Sequence, residues 1–144
     1  MNMKPEGIGY VLYWPGVIDF LKTVTPLFEV VIYTASVKEY ADPIIDSLEA
    51  HVGYSFYRLY RQHCQPRRFY FVKDLRWLGR ELKNVMIIDN LHECFEWQPN
   101  NGLPIRAYFT SPTDSVLQKY IPLLEHLSIV PDVRAVIEKV KVRG

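Results

Sequence analysis

At 144 residues the chain suits one domain, with hydrophobic residues at 49% and aromatics at 14%, which supports a packed core and excludes a disordered polymer. A net charge of +1 excludes a global pull toward nucleic acid or an anionic membrane. No apolar run approaches the ~20 residues that span a bilayer.

Two cysteines, Cys64 and Cys94, do not make a disulfide framework, so a reducing compartment, cytoplasmic or nuclear, is expected. The first residues lack the apolar core of a secretion signal and the arginines of an organelle presequence. The charge balance hides a local excess: Arg58, Arg61, Arg67, Arg68, Lys73, Arg76 and Arg80 face Asp74 alone.

No repeat or linker interrupts the chain, so residues 1–144 read as a single domain. A short extended segment at 9–14 stops at Pro15-Gly16, a turn pair. Val17, Phe20, Leu21 and Val24 then recur at helical spacing, which predicts a helix over 17–28 with an irregular end at Pro26. Residues 29–34 (EVVIYT) are nearly all β-branched or aromatic, the pattern of a strand buried on both faces. Ser36 stands where it would cap a helix over 37–49, with Glu39 at the third position and a kink expected at Pro43.

Two aromatic strands, 56–60 and 68–72, are expected around a turn at Gln65-Pro66. Residues 74–79 read as a loop or short helical turn. Residues 85–89 (VMIID) form a second buried strand ending in an acid. A single helical turn at 94–97 and a Pro-Asn-Asn-Gly turn at 99–102 lead to a strand at 105–109, then helices over 114–126 and 132–140, the last capped by Asp132. Strand and helix in alternation define an α/β architecture around a parallel sheet.

Ligands of such sheets sit at the carboxyl ends of the strands. There EVVIYT delivers Thr34 and Ser36, whose hydroxyls and neighbouring N–H groups suit a phosphate. VMIID delivers Asp89 and Asn90, oxygen donors of the kind Mg2+ takes. Lys73 offers a point charge for an anion. Each has a plainer alternative: Thr34 and Ser36 as a capping pair, Asp89 as a cap for the next helix, Lys73 as solvated surface.

The stretches PGVIDFL (15–21), FEVVIYTASVKEYADPIIDSL (28–48), YRLYRQHC (57–64), VKDLRWLGRELKNVMIIDN (72–90) and QPNNGLPI (98–105), with the tail DSVLQKYIPLLEHL (114–127), are specific together. They resemble the NLI-interacting-factor-like branch of the haloacid dehalogenase superfamily, which dephosphorylates the C-terminal domain of RNA polymerase II. The resemblance implies a Rossmann-like parallel sheet flanked by helices, with a small three-stranded β insertion at about 56–72. It implies Thr34 bonding the transferred phosphoryl group, Lys73 stabilising its charge, and Asn90 and Asp89 at Mg2+. It also implies a phosphorylated protein segment as partner, with Arg58, Tyr60, Arg61 and Tyr57 on the peptide groove. The plainer reading of that aromatic and basic stretch is β-packing with solvated arginines; no nucleic-acid motif is present.

The family's Asp-x-Asp-x-Thr motif, whose first Asp is phosphorylated and whose second is general acid and base, has no counterpart: these 144 residues hold no Asp-x-Asp pair. Trp14 stands in place of the family's Arg before Pro-Gly, and Leu91-His92 replace its Ser-Pro. The expectation is therefore a sheet without its first, central strand, truncated at its N-terminus relative to the family. Its Mg2+ site would be weak or absent, and turnover lower by about 10^4–10^6 for want of the nucleophile. Alternatives are a pseudophosphatase that binds phosphopeptide, or a non-catalytic relative like the mitochondrial translocase receptor. The unpaired strand edges call for a strand-completing partner, a dimer, or a substitute strand from the N-terminus.

Overall fold

The computed structural model describes residues 16–105 and 116–143. The expected strand at 9–14, and residues 106–109 of the strand expected at 105–109, lie outside them. Helix α1 (Val17–Val24) buries Val17, Phe20, Leu21 and Val24, the stripe its spacing predicts. It ends before Pro26 rather than running to 28, since a proline ring and the lost N–H do not continue a helix. Strand β1 (Val31–Tyr33) follows, then α2 (Lys38–Val52), which continues through Pro43 and closes on Gly53 at φ 76°.

Strand β2 (Tyr57–Leu59) runs parallel to β1, Val31 opposite Tyr57 and Tyr33 opposite Leu59. This corrects the expected small β unit at 56–72. Its first strand belongs instead to a β1–α2–β2 crossover, because α2 returns the chain to the edge of β1. What remains of that unit is an antiparallel hairpin, β3 (Cys64–Pro66) with β4 (Phe71–Lys73). Gln65 and Pro66 lie in its strand, and the turn falls at 67–70, closed by the Arg67 N–H on the Tyr70 carbonyl at 2.8 Å.

Strand β5 (Ile87–Asp89) runs parallel to β6 (Gly102–Pro104) as a further two-stranded pair. That strand begins three residues before the expected 105, straight out of a 3-10 turn at Pro99–Asn101. The expected helix over 114–126 is split into α3 (Val116–Lys119) and α4 (Ile121–Leu127), because Pro122 has no N–H for the carbonyl four residues back. Asp132 caps α5 (Val133–Arg143), its carboxylate accepting from the Arg134 N–H at 2.9 Å.

One apolar core joins α1, α2, α4 and α5 to Ile32 of β1 and Leu103 of β6, with Met86 and Ile88 packed against it. On the opposite face the core is divided. Leu75, Val85, Ile87 and Phe95 make one cluster, and Tyr33, Ala35 and Cys64 another. Among the described residues no strand lies between β1 and β5. A cavity of about 530 Å³ occupies that position, lined by residues of both strands, of α1 and of the 3-10 turn Leu75–Leu78.

Gly102 is required by packing rather than by its dihedrals. A Cβ built there would stand 2.1 Å from Cδ2 and 2.3 Å from Cε2 of Phe95, whose ring is buried. Gly102→Ala is accordingly expected to cost about 1–3 kcal/mol, since neither ring nor strand has room to yield. Urea denaturation checks this, and a loss below a few tenths of a kcal/mol would show that the ring turns aside.

Candidate functional site at the carboxyl ends of the strands

The chain brings Thr34, Lys73 and Asp89 together from three strand ends. Thr34 follows β1 and is fully buried, its Oγ1 accepting the Ser36 N–H at 2.9 Å across a tight bend. Lys73 ends β4, opposite Cys64 in the hairpin register. Cys64 in turn donates from Sγ to the Thr34 carbonyl at 3.7 Å, so one thiol joins the two polar ends. The ammonium of Lys73 donates to Asp89 Oδ2 at 2.6 Å, with both side chains at 0% exposure. Asp89 Oδ1 accepts the Leu91 N–H at 3.0 Å. Burial pushes the Cys64 thiol up to about 11, with Lys73 and Arg61 opposing, so it is a packed group and not a reactive thiolate.

Ser36 does not cap α2. Val37 occupies the cap position without a side-chain bond, and the Ser36 hydroxyl donates to the Val37 carbonyl at 3.3 Å. Its N–H is already taken by Thr34, which is why the Thr-x-Ser pattern makes a turn here rather than a helix cap. Arg61 does stand at this end. Its N–H bonds the Ser36 carbonyl at 3.0 Å, its Nε the Ala35 carbonyl at 2.7 Å, and its guanidinium lies over the Phe71 ring at 5.1 Å. Arg61 is thus fixed at Nε while the residue as a whole is exposed.

Arg58 and Tyr60 are placed elsewhere. Arg58 reaches Asp42 at 2.8 Å, Asp46 at 2.7 Å and Glu49 at 2.9 Å, all on α2. The Tyr60 hydroxyl donates to Asp42 Oδ1 at 2.5 Å. Both clamp β2 to α2, so the aromatic and basic stretch divides into this clamp and the Arg61 site. Tyr57, at 63% exposure, stays on the surface.

The residues for a magnesium ion do not fit one. Asp89 has both oxygens engaged by Lys73 and by backbone, and Asn90 is exposed beside it. No group of three or more His, Cys, Asp or Glu that could hold a metal exists among the described residues. One committed carboxylate and one amide fall short of the octahedral oxygen set Mg2+ demands. His92 is paired with Glu93 at 3.0 Å on the surface.

The sequence reading missed two supports. Cys64 is the joint between Thr34 and Lys73, and a cysteine in an aromatic run carries no local sign of that role. Gln98 donates to Asp74 at 2.9 Å and accepts the Leu75 N–H at 3.1 Å, which secures the segment after Lys73. Nothing in the sequence pairs residues 24 apart.

A parallel α/β layer with its polar residues at the strand ends is a Rossmann-like arrangement. Its backbone matches fission yeast RNA polymerase II CTD phosphatase Fcp1 bound to beryllium fluoride with a TM-score of 0.55, over 90% of this chain and 38% of that one. At 19% identity that likeness concerns the fold. A model of the NLI interacting factor-like phosphatase family matches residues 2–134, and the chain belongs to that family. Among its relatives, a probable C-terminal domain small phosphatase of Dictyostelium discoideum is 40% identical over 130 residues, 90% of this chain and 42% of that protein. The human carboxy-terminal domain RNA polymerase II polypeptide A small phosphatase 1 is 39% identical over 130 residues, 90% of this chain and 49% of that protein. The chain thus spans less than half the length of these two relatives. No described helix is long and apolar enough to cross a membrane.

Proposed function

We propose that the carboxyl end of β1, β4 and β5 is a phosphoryl-binding site for a phosphorylated serine or threonine segment of a protein. We propose further that these 144 residues bind such a segment without hydrolysing it. The observation that carries this reading is the Arg61 guanidinium, tied through Nε to the Ala35 carbonyl in the loop that joins Thr34 to Ser36. A fixed fork of N–H donors matches the oxygens of a phosphate monoester. The human relative named as a carboxy-terminal domain RNA polymerase II polypeptide A small phosphatase supports a protein substrate.

Hydrolysis in the manner of the family needs a carboxylate nucleophile and a second acid or base. Asp89 is held by Lys73 and by the Leu91 N–H, and these 144 residues hold no Asp-x-Asp pair. Two buried thiols suit a reducing compartment, cytoplasm or nucleus.

A phosphoserine peptide with a fluorescent label tests both halves. Binding is expected by anisotropy, about tenfold weaker in Arg61→Ala as one charge-assisted contact is lost. Phosphate release is expected at the level of buffer, with or without Mg2+. Equal binding of the unphosphorylated peptide would sink the binding half. Release above buffer that disappears in Lys73→Ala would sink the other.

A further inference from the structure

The hairpin of β3 and β4 meets the proposed phosphoryl site at its base and ends in a surface that the site does not use. Its register sorts the side chains onto two faces. Arg67 and Tyr70 share one face, where the Tyr70 hydroxyl donates to Glu96 at 2.7 Å and the Arg67 guanidinium lies 5.0 Å from the Trp97 ring centre. On the other face Cys64 is opposite Lys73, and the next pair outward is Pro66 with Phe71. This second face is the one turned to the phosphoryl site, since the Arg61 guanidinium stands over Phe71 and Cys64 bonds the Thr34 carbonyl. An apolar strip, half-buried Phe71 with exposed Pro66, thus leads from Lys73 toward the tip.

The strip ends in two residues that local structure does not account for. Arg68 and Phe69 form a two-residue loop, closed by the Arg67 N–H on the Tyr70 carbonyl. Such loops favour Gly, Asn or Asp, which accept a positive φ. Here no residue other than glycine has a positive φ among the described residues, so the tip forgoes the usual turn chemistry. Packing does not explain it either. Phe69 is 86% exposed, more than any other large apolar residue described, and the Arg68 guanidinium lies 5.3 Å from its ring centre. Residues that break a local rule without a packing gain mark function.

Charge selects what meets this tip. Arg76 holds Asp74 at 2.8 Å, and Arg67 stands 3.8 Å from Glu96. Arg68 reaches no carboxylate among the described residues, and stacking on Phe69 gives it a place. One unneutralised cation therefore sits beside one uncovered ring. Its complement is an acidic side chain on a segment that also covers apolar surface. Strand rise sets the spacing: the four residues from Lys73 to Phe69 span about 13 Å, which an extended peptide crosses in about four residues of its own.

We infer that the phosphorylated segment lies extended along this face of the hairpin, and that Arg68 and Phe69 select one with an acidic residue about four positions from its phosphoserine or phosphothreonine. The residue midway covers Phe71 and Pro66, because alternate side chains of an extended chain fall on one side. The inference deepens the phosphoryl-binding reading and rests on it. Arg68 and Phe69 choose the segment, and neither holds the phosphate.

Fluorescent phosphoserine peptides of alternating Ala and Thr test this by anisotropy against the 144-residue chain. One carries Glu four positions before the phosphoserine, a second four positions after it, and a third directly beside it; each has a Gln counterpart. One of the first two is expected to bind about fivefold tighter than its counterpart, an advantage lost in Arg68→Gln and in about 0.5 M salt. Phe69→Ser is expected to weaken Glu and Gln peptides alike by about threefold, since contact with the ring does not depend on the acid. Circular dichroism should be unchanged in both variants, because both residues stand at an exposed tip. Gln peptides that bind through Arg61, with no Glu advantage at either four-residue position, overturn this inference and leave the phosphoryl site standing. An equal advantage for Glu beside the phosphoserine overturns it too, as net charge alone would then be read. Phosphorylated and unphosphorylated Gln peptides bound alike would overturn the phosphoryl reading and this one together. Sedimentation with phosphatidylserine vesicles that is lost in Phe69→Ser, without any Glu advantage, would assign the tip to a lipid surface instead.

Discussion

Lys73→Met is expected to destabilise the fold by about 3–5 kcal/mol, because it leaves the Asp89 carboxylate buried without its counter-charge. The pair is separated by 2.6 Å and both side chains are at 0% exposure, so no solvent screens the loss. Against a total stability of about 5–15 kcal/mol for a domain, that fraction is visible as a much lower urea midpoint. Asp89→Leu alone should cost a similar amount by stranding the ammonium. The double variant, Lys73→Met with Asp89→Leu, is expected to recover most of the loss, since an apolar pair carries no desolvation penalty. Recovery stops short of complete because the Leu91 N–H loses its acceptor. Circular dichroism through a urea series measures all three. A loss under about 1 kcal/mol in Lys73→Met would mean that water or an ion reaches Asp89.

The same pair bears on the phosphoryl site. A buried ion pair is rarely more stabilising than a hydrophobic pair of equal volume, so its presence at the strand ends calls for another reason. In the phosphoryl site proposed above, a phosphate beside Thr34 and Arg61 would supply one, because the ammonium would then have two anions to share.

How much was legible from sequence follows from how local each signal is. The apolar stripe of α1, the β-branched run of β1 and the Asp132 cap rest on neighbours within four residues; the stripe and the cap stand as read, and the strand forms over Val31–Tyr33 of the expected 29–34. The choice of partner for residues 57–59 rests on where α2 delivers the chain. No period within YRLY distinguishes pairing with β1 from pairing with the hairpin that follows. At the site, Thr34, Lys73 and Asp89 were legible as strand-end polar residues, and the fold places them together. Their immediate partners were not, since Cys64 acts across 30 residues on Thr34. Arg58 and Tyr60 looked like substrate surface because a basic and aromatic run reads alike whether it faces a ligand or the acids of a helix. The three carboxylates at Asp42, Asp46 and Glu49, spaced along one face of α2, were the sign that decides it.

That clamp gives a second large effect. Arg58→Met is expected to cost about 2–3 kcal/mol, more than an exposed ion pair would, because one guanidinium holds three carboxylates and its side chain is only 17% exposed. Removing it also leaves Asp42, Asp46 and Glu49 repelling one another along α2. Arg58→Lys should restore less than half, since a point charge does not span carboxylates in a fixed fork. The pH dependence separates this from lost packing. Desolvation pushes the Asp42 carboxyl up, but hydrogen bonds from Lys38, Tyr60 and Arg58 together outweigh it and hold the group at about 2. A depressed carboxyl contributes stability that is fully present above the ordinary value of 3.8 and is lost as pH falls through about 2. With solvent screening that contribution is on the order of 1 kcal/mol. Urea midpoints at pH 2, 3, 5 and 7 are therefore expected to fall more steeply below pH 4 in the parent than in Asp42→Asn. Arg58→Met should lie between them, because Lys38 and Tyr60 still hold the carboxylate. Parallel curves for parent and Asp42→Asn would show that Asp42 is not held low, and that Arg58 binds β2 to α2 through packing alone.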